Sequence, residues 1–136
     1  MRNVVLDTNC LLVSISRRSK EYIVWRGIIE GKYNLCVTTE ILEEYQEIIS
    51  EFTTPEIGQN IIYTLLNLKN VKHITPHFRF RLITSDVDDN KFVDCAIAAN
   101  AHYIVSNDKH FKELESIDFP KVKCINLIEF MEFLLQ

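Results

Sequence analysis

The chain has 136 residues, 47% hydrophobic and 25% charged, with 19 acidic against 15 basic side chains and a net charge of −4; this is the composition of a folded globule, and the length suits one domain over residues 1–136. Only three glycines are present, where average usage of about 7% would supply roughly nine, and Gly27, Gly31 and Gly58 spell neither GxGxxG nor GxxxxGK[ST], so a nucleotide cofactor held in a glycine-rich phosphate loop is excluded. The acidic excess argues against indiscriminate nucleic-acid binding, and the lack of any apolar run near the roughly 18 residues of a membrane helix, or of a signal-peptide pattern behind Met1, points to a cytoplasmic protein with no membrane contact.

In chain order, Val4-Val5-Leu6 reads as a strand, residues 21–30 as a helix and Leu35-Cys36-Val37 as a second strand. Residues 40–52 and 55–68 read as two helices, the second opened by Thr54 as N-cap with Pro55 in the first helical position. Residues 71–74 follow as a short strand, residues 75–88 as an irregular stretch, and residues 89–100 as a helix. The strands Tyr103-Ile104-Val105 and Val122-Lys123-Cys124-Ile125 come next. A last helix over residues 127–135 starts at Asn126 with Glu129 three positions on, a capping-box spacing. Alternating strands and helices predict an α/β fold: three layers, α/β/α, around a mainly parallel sheet of four to five strands. The last helix is apolar nearly all round, so it is either buried or part of an interface. Cys10, Cys36, Cys95 and Cys124 show no metal-ligand spacing and read as small buried hydrophobes in a reducing compartment.

The acidic residues are not evenly spread. Asp7 ends the first strand run and Asp108 lies three residues beyond Val105, so both belong to the carboxyl edge of a parallel sheet, where ligands bind; either could instead cap a following helix. In the helix over residues 40–52, Ile41, Leu42, Tyr45, Ile48, Ile49 and Phe52 form the apolar stripe. Glu44 lies roughly 100° from its centre, against about 120–160° for Glu40, Glu43, Glu47 and Glu51. Glu44 is therefore the glutamate that leans into a cleft, and the other four form a solvated face. Asp89, Phe92, Val93 and Ala96 share a core-facing side at i, i+3, i+4 and i+7, while Asp94 points roughly 140° away and is expected in solvent. Asp88 is the natural N-cap.

Should Asp7, Glu44, Asp89 and Asp108 converge, any pair about 5 Å apart would repel by roughly 3 kcal/mol at an effective dielectric of 20. Such a group shares protons or binds cations. With neither His nor Cys counted among the ligands, the set is hard oxygen only, which suits Mg²⁺ or Mn²⁺ and leads to hydrolysis at phosphorus.

The segments Val4-Val5-Leu6-Asp7-Thr8-Asn9, Thr39-Glu40-Ile41-Leu42-Glu43-Glu44-Tyr45, Asp86-Val87-Asp88-Asp89-Asn90-Lys91-Phe92 and Tyr103-Ile104-Val105-Ser106-Asn107-Asp108 together resemble PIN domains over nearly the whole chain. The likeness is closest to the bacterial subfamily of toxin components of toxin-antitoxin systems. The resemblance implies a metal-dependent endoribonuclease acting on single-stranded RNA, with Asp7, Glu44, Asp89 and Asp108 as the acids that hold Mg²⁺ or Mn²⁺ and carry catalysis. It further implies an antitoxin partner and, with the apolar last helix, a homodimer. Thr8 and Asn9 match the polar residues that follow the family's first acid. The family's Ser/Thr-Gly-Asp appears here as Ser106-Asn107-Asp108, a departure at the glycine.

Positive charge for RNA could come from Arg17 and Arg18, in Arg17-Arg18-Ser19-Lys20, or from His77-Phe78-Arg79-Phe80-Arg81. The favoured reading of the latter is a half-buried extended segment with both rings inward. Two rivals to the nuclease stand: a non-catalytic PIN-fold module that binds RNA or protein, and an aspartate-nucleophile phosphatase. The phosphatase is disfavoured because it wants a second acid where Asn9 stands.

Overall fold

The computed structural model describes residues 1–118 and 120–136. Five strands form one all-parallel sheet: β1 (Asn3–Leu6), β2 (Asn34–Val37), β3 (Val71–His73), β4 (Tyr103–Val105) and β5 (Cys124–Ile125), in the order β3-β2-β1-β4-β5. Successive strand residues face opposite sides, yet Val4, Val5 and Leu6 in β1 and Leu35, Cys36 and Val37 in β2 are all buried, so helices cover both faces. The three-layer α/β/α architecture expected from the sequence follows from that burial.

The helices are α1 (Thr8–Leu12), α2 (Tyr22–Ile29), α3 (Thr39–Phe52), α4 (Pro55–Leu66), α5 (Asn90–Ala98) and α6 (Leu127–Leu134). Helix α3 starts where Thr38 accepts the Ile41 N–H, and α4 where Thr54 accepts the Ile57 N–H ahead of Pro55. Helix α6 carries the full capping box between Asn126 and Glu129. The α3–α4 hairpin closes tightly at Gly58, where a methyl group would meet Ser50 Oγ at 2.1 Å and the Gln46 carbonyl oxygen at 3.1 Å.

Three short elements lie outside the sequence expectation: α1 and the 3₁₀ turns Val87–Asp89 and Lys109–Ser116. Each is too brief or too tightly wound to show a 3.6-residue period. The first of these turns also moves the cap upstream. Asp86, not Asp88, accepts the Asp88 N–H at 3.2 Å, and Asp88 is exposed.

Two further expectations are corrected. Asp94 is only 5% exposed: the irregular segment folds over the outer side of α5, and the Asp94 carboxylate accepts the Phe80 N–H at 3.0 Å. In that same segment Phe78 and Phe80 turn outward, at 72% and 38% exposure, because the chain is held there by its backbone groups and not by its rings. Helix α6, expected to be either buried or part of an interface, is buried on one side only. Leu127 and Phe130 sit in the core, Phe130 edge-on to Tyr33 at 5.0 Å, while Ile128 and Leu135 are exposed. Among the described residues no helix is long and apolar enough to cross a membrane.

Candidate active site

From β1 the chain moves outward through β2 to β3 and then returns to the far side of β1 as β4. The crevice at the carboxyl ends of β1 and β4 is thus the point where the direction of winding reverses, the usual ligand position in such sheets. Asp7 leaves β1 there, its N–H donating to the Val105 carbonyl at 3.0 Å and extending the ladder by one residue. One carboxylate oxygen of Asp7 accepts the Thr8 N–H at 2.8 Å, capping α1, and the other accepts the Ser106 hydroxyl at 2.7 Å. The same Ser106 oxygen accepts the Asp108 N–H at 2.9 Å. One hydroxyl therefore fixes Asp7 and Asp108 relative to each other. At the departed glycine, the Asn107 side chain accepts the Leu127 N–H at 3.0 Å and braces the start of α6.

Helix α3 is docked on the same edge by Tyr45, a fully buried ring whose hydroxyl donates to the Leu6 carbonyl at 2.6 Å. That bond brings the neighbouring Glu44 beside Asp7. Glu44 Oε2 accepts the Thr8 hydroxyl, and Glu44 Oε1 pairs with Lys91 Nζ at 2.7 Å. Asp89 closes the 3₁₀ turn ahead of α5 and is buried. His110 is the second residue of the turn that Asp108 caps through a 2.9 Å bond to the His110 N–H. Its Nδ1 lies 3.0 Å from Asp108 Oδ1, 3.3 Å from Asp89 Oδ2 and 3.7 Å from Asp86 Oδ2.

The electrostatics follow from this crowding. Burial pushes the Asp7 carboxyl up, the charges of Asp108 and Glu44 push it further, and the Ser106 and Thr8 donors oppose them. Asp89 is raised to about 6, by burial first and then by Asp86, Asp7 and Asp108, with the His110 hydrogen bond opposing. Carboxylates that raise one another in this way are stabilised by a multivalent cation, and oxygen donors from Asp7, Glu44, Asp89 and Asp108 suit a hard divalent ion. The residues present therefore fit the divalent metal that the acid cluster implies.

Asp7, Glu44, Asp89 and Asp108 come from four separate chain segments and meet at this edge. Thr8 is buried among them, whereas Asn9 is exposed on the first turn of α1. Arg17 and Arg18 are exposed in the turns between α1 and α2, and among the described residues no ion pair joins them to the acids. Beyond the expected oxygen donors, His110, two residues past Asp108, reaches three of the carboxylates. His110 lies only two residues from Asp108 in sequence, but its approach to 3.0 Å depends on Asp108 sitting outside the turn as its cap. Asp86, Lys91 and Ser106 lie within the motif segments, but nothing in the sequence marks a role for them. Their parts depend on tertiary contacts, as does that of Tyr45.

The PIN domain family model matches residues 3–110. Similar solved structures include VapBC2 from Rickettsia felis bound to a DNA fragment from its promoter, at 19% identity and TM-score 0.63, covering 91% of this chain and 98% of that one. DNA-bound VapBC from Salmonella typhimurium is similar at 15% identity and TM-score 0.60, with coverage of 93% and 99%. The RRP44 PIN domain of T. brucei is similar at 12% identity and TM-score 0.57, with coverage of 98% and 82%. At these identities the likeness concerns the fold. No curated protein matches the chain in sequence.

Proposed function

Since the chain belongs to the PIN domain family, we propose that it is a metal-dependent endoribonuclease that hydrolyses phosphodiester bonds of single-stranded RNA, and that it is the toxin of a toxin-antitoxin pair. The observation that carries this reading is the meeting of four acids from four distant segments at one sheet edge, with Asp89 raised to about 6. Asp7, Glu44, Asp89 and Asp108 would hold Mg²⁺ or Mn²⁺, which when bound supplies Lewis-acid stabilisation of an in-line displacement and activates water. Ser106 holds two of these acids in register. Lys91, 14% exposed in its side chain and 2.7 Å from Glu44, keeps that glutamate in place and offers a cation to a phosphate. Thr8, Asn9, Arg17 and Arg18 are the proposed RNA contacts. Likeness to the two VapBC assemblies supports an antitoxin partner, and the exposed Ile128 of α6 with Leu135 just beyond it supports a homodimer. Four unpaired cysteines agree with a cytoplasmic location.

The test is cleavage of a fluorescent single-stranded RNA by the purified full chain in Mn²⁺ or Mg²⁺. Asp7→Asn is expected to lower the rate about 100-fold or more by removing a metal-binding charge. Equal rates for the two proteins would overturn the assignment. The non-catalytic module keeps one point in its favour, since both Glu44 oxygens are already engaged by Thr8 and Lys91. A calorimetric titration showing no Mn²⁺ binding would favour it.

A further inference from the structure

His110 and Asp86 stand beside the four acids without belonging to them. Donor atoms of Asp86, Asp89 and His110 all lie within 4.8 Å of one another. Around a divalent ion with bonds of about 2.1 Å, donors at right angles are about 3.0 Å apart and opposed donors about 4.2 Å apart. The separations of His110 Nδ1 from Asp108, Asp89 and Asp86, at 3.0, 3.3 and 3.7 Å, fall across that span. A single ring nitrogen has one lone pair or one proton. It cannot serve three carboxylates by hydrogen bonding at once, whereas a cation placed among them engages all of the donors together.

A second observation shows that the arrangement is held from outside the cluster. Glu113, one turn beyond His110, accepts the Thr84 N–H at 2.9 Å, the Thr84 hydroxyl at 3.1 Å and the Ser85 N–H at 2.9 Å. Ser85 immediately precedes Asp86. The turn that carries His110 is thereby latched to the segment that delivers Asp86, and the two donors face each other before any ion arrives. Such preorganisation is what a selective metal site requires.

We propose that Asp86, Asp89 and His110 form a mixed nitrogen and oxygen site for a first-row transition ion, which selects Mn²⁺ over Mg²⁺. An imidazole adds affinity for transition ions and little for Mg²⁺, which prefers oxygen and retains its water. The inference rests on the nuclease reading only in sharing Asp89 with it.

The full chain loaded with Mn²⁺ is examined by electron spin echo spectroscopy for ¹⁴N coupling, and Mn²⁺ and Mg²⁺ affinities are measured by calorimetry. The wild-type chain is expected to show nitrogen coupling. His110→Gln is expected to lose it and to bind Mn²⁺ about tenfold more weakly, with Mg²⁺ affinity held within about twofold. Absent coupling in the wild-type chain, coupling that survives His110→Gln, or equal losses for the two ions would overturn the proposal. Should His110→Gln fail to fold, Asp86→Asn decides: weaker Mn²⁺ binding with retained nitrogen coupling supports the site, and unchanged binding overturns it. RNA cleavage without nitrogen coupling removes this site and leaves the nuclease standing. Nitrogen coupling in a protein that cuts no RNA does the reverse.

Discussion

Asp89 and Glu113 are carboxylates on the two 3₁₀ turns that flank the same crevice, and their surroundings push them in opposite directions. Glu113 is only partly exposed, and its carboxyl is held down at about 2 by the Ser85 side chain and the backbone N–H groups of Thr84 and Ser85. Asp89 is buried and is pushed up to about 6 by that burial and by three neighbouring acids. The difference separates two uses of the same functional group. A carboxylate surrounded by donors is already satisfied and acts as a structural latch, while one surrounded by its own kind is left to attract a cation. Asn90 belongs with Glu113, bonding both the N–H and the carbonyl of Ile83 at 2.9 Å; Asp94 stands between the two, accepting from Phe80 while burial pushes its carboxyl up. Together they fasten the segment over α5.

The largest expected effect breaks the satisfied side. Asn90→Ala leaves the buried Ile83 N–H and carbonyl without partners, and should cost roughly 2–4 kcal/mol in urea unfolding. A loss below about 1 kcal/mol would mean that water replaces the clamp. Next comes relief of the crowded side. In the metal-free chain Asp89→Asn should stabilise by about 1–3 kcal/mol at pH 7, since it removes a charge that the fold opposes. Asp89 ionises near 6 when folded against an ordinary value of 3.8, so the native chain binds the extra proton between those values. Stability therefore falls as pH rises through that window, and the gain from Asp89→Asn should fade below about pH 4. Saturating Mn²⁺ should reverse the order of the two melting curves at pH 7, because only the wild-type chain keeps the full ligand set. Thermal melts at the two pH values, with and without the ion, check each part.

These two sides were not equally legible in the sequence. The strand runs, the five longer helices and the grouping of Asp7, Glu44, Asp89 and Asp108 could be read from periodicity and from position relative to strand ends, since both signals are local. Glu44 could be told from its four neighbouring glutamates because a helix wheel ranks them. The satisfied acids could not be read this way. Asp94 lies on the side of α5 away from the sheet, and only the long segment that packs there buries it, a contact that no period announces. Phe78 and Phe80 failed for the related reason that alternation predicts a face only when the segment lies on a sheet or core. His110 falls between these cases, close to Asp108 in sequence but aimed by a 3₁₀ turn.

The smallest predicted effect concerns the latch itself. Glu113→Gln removes the charge but keeps a carbonyl acceptor, so the midpoint of unfolding should barely move, as befits a group that solvent still screens. Its signature is local: the Thr84 and Ser85 amides, protected by the carboxylate at 2.9 Å, should exchange several-fold faster once only a neutral acceptor remains. The pH dependence runs opposite to that of Asp89. Because the folded Glu113 ionises at about 2 against an ordinary 4.5, its contribution is complete above about 4.5 and is lost as pH falls toward 2. Protection factors at Thr84 and Ser85 should decline through that range in the wild-type chain and stay level in Glu113→Gln. Parallel declines in the two proteins would place the latch in the neutral hydrogen bonds and remove the charge contrast between Glu113 and Asp89.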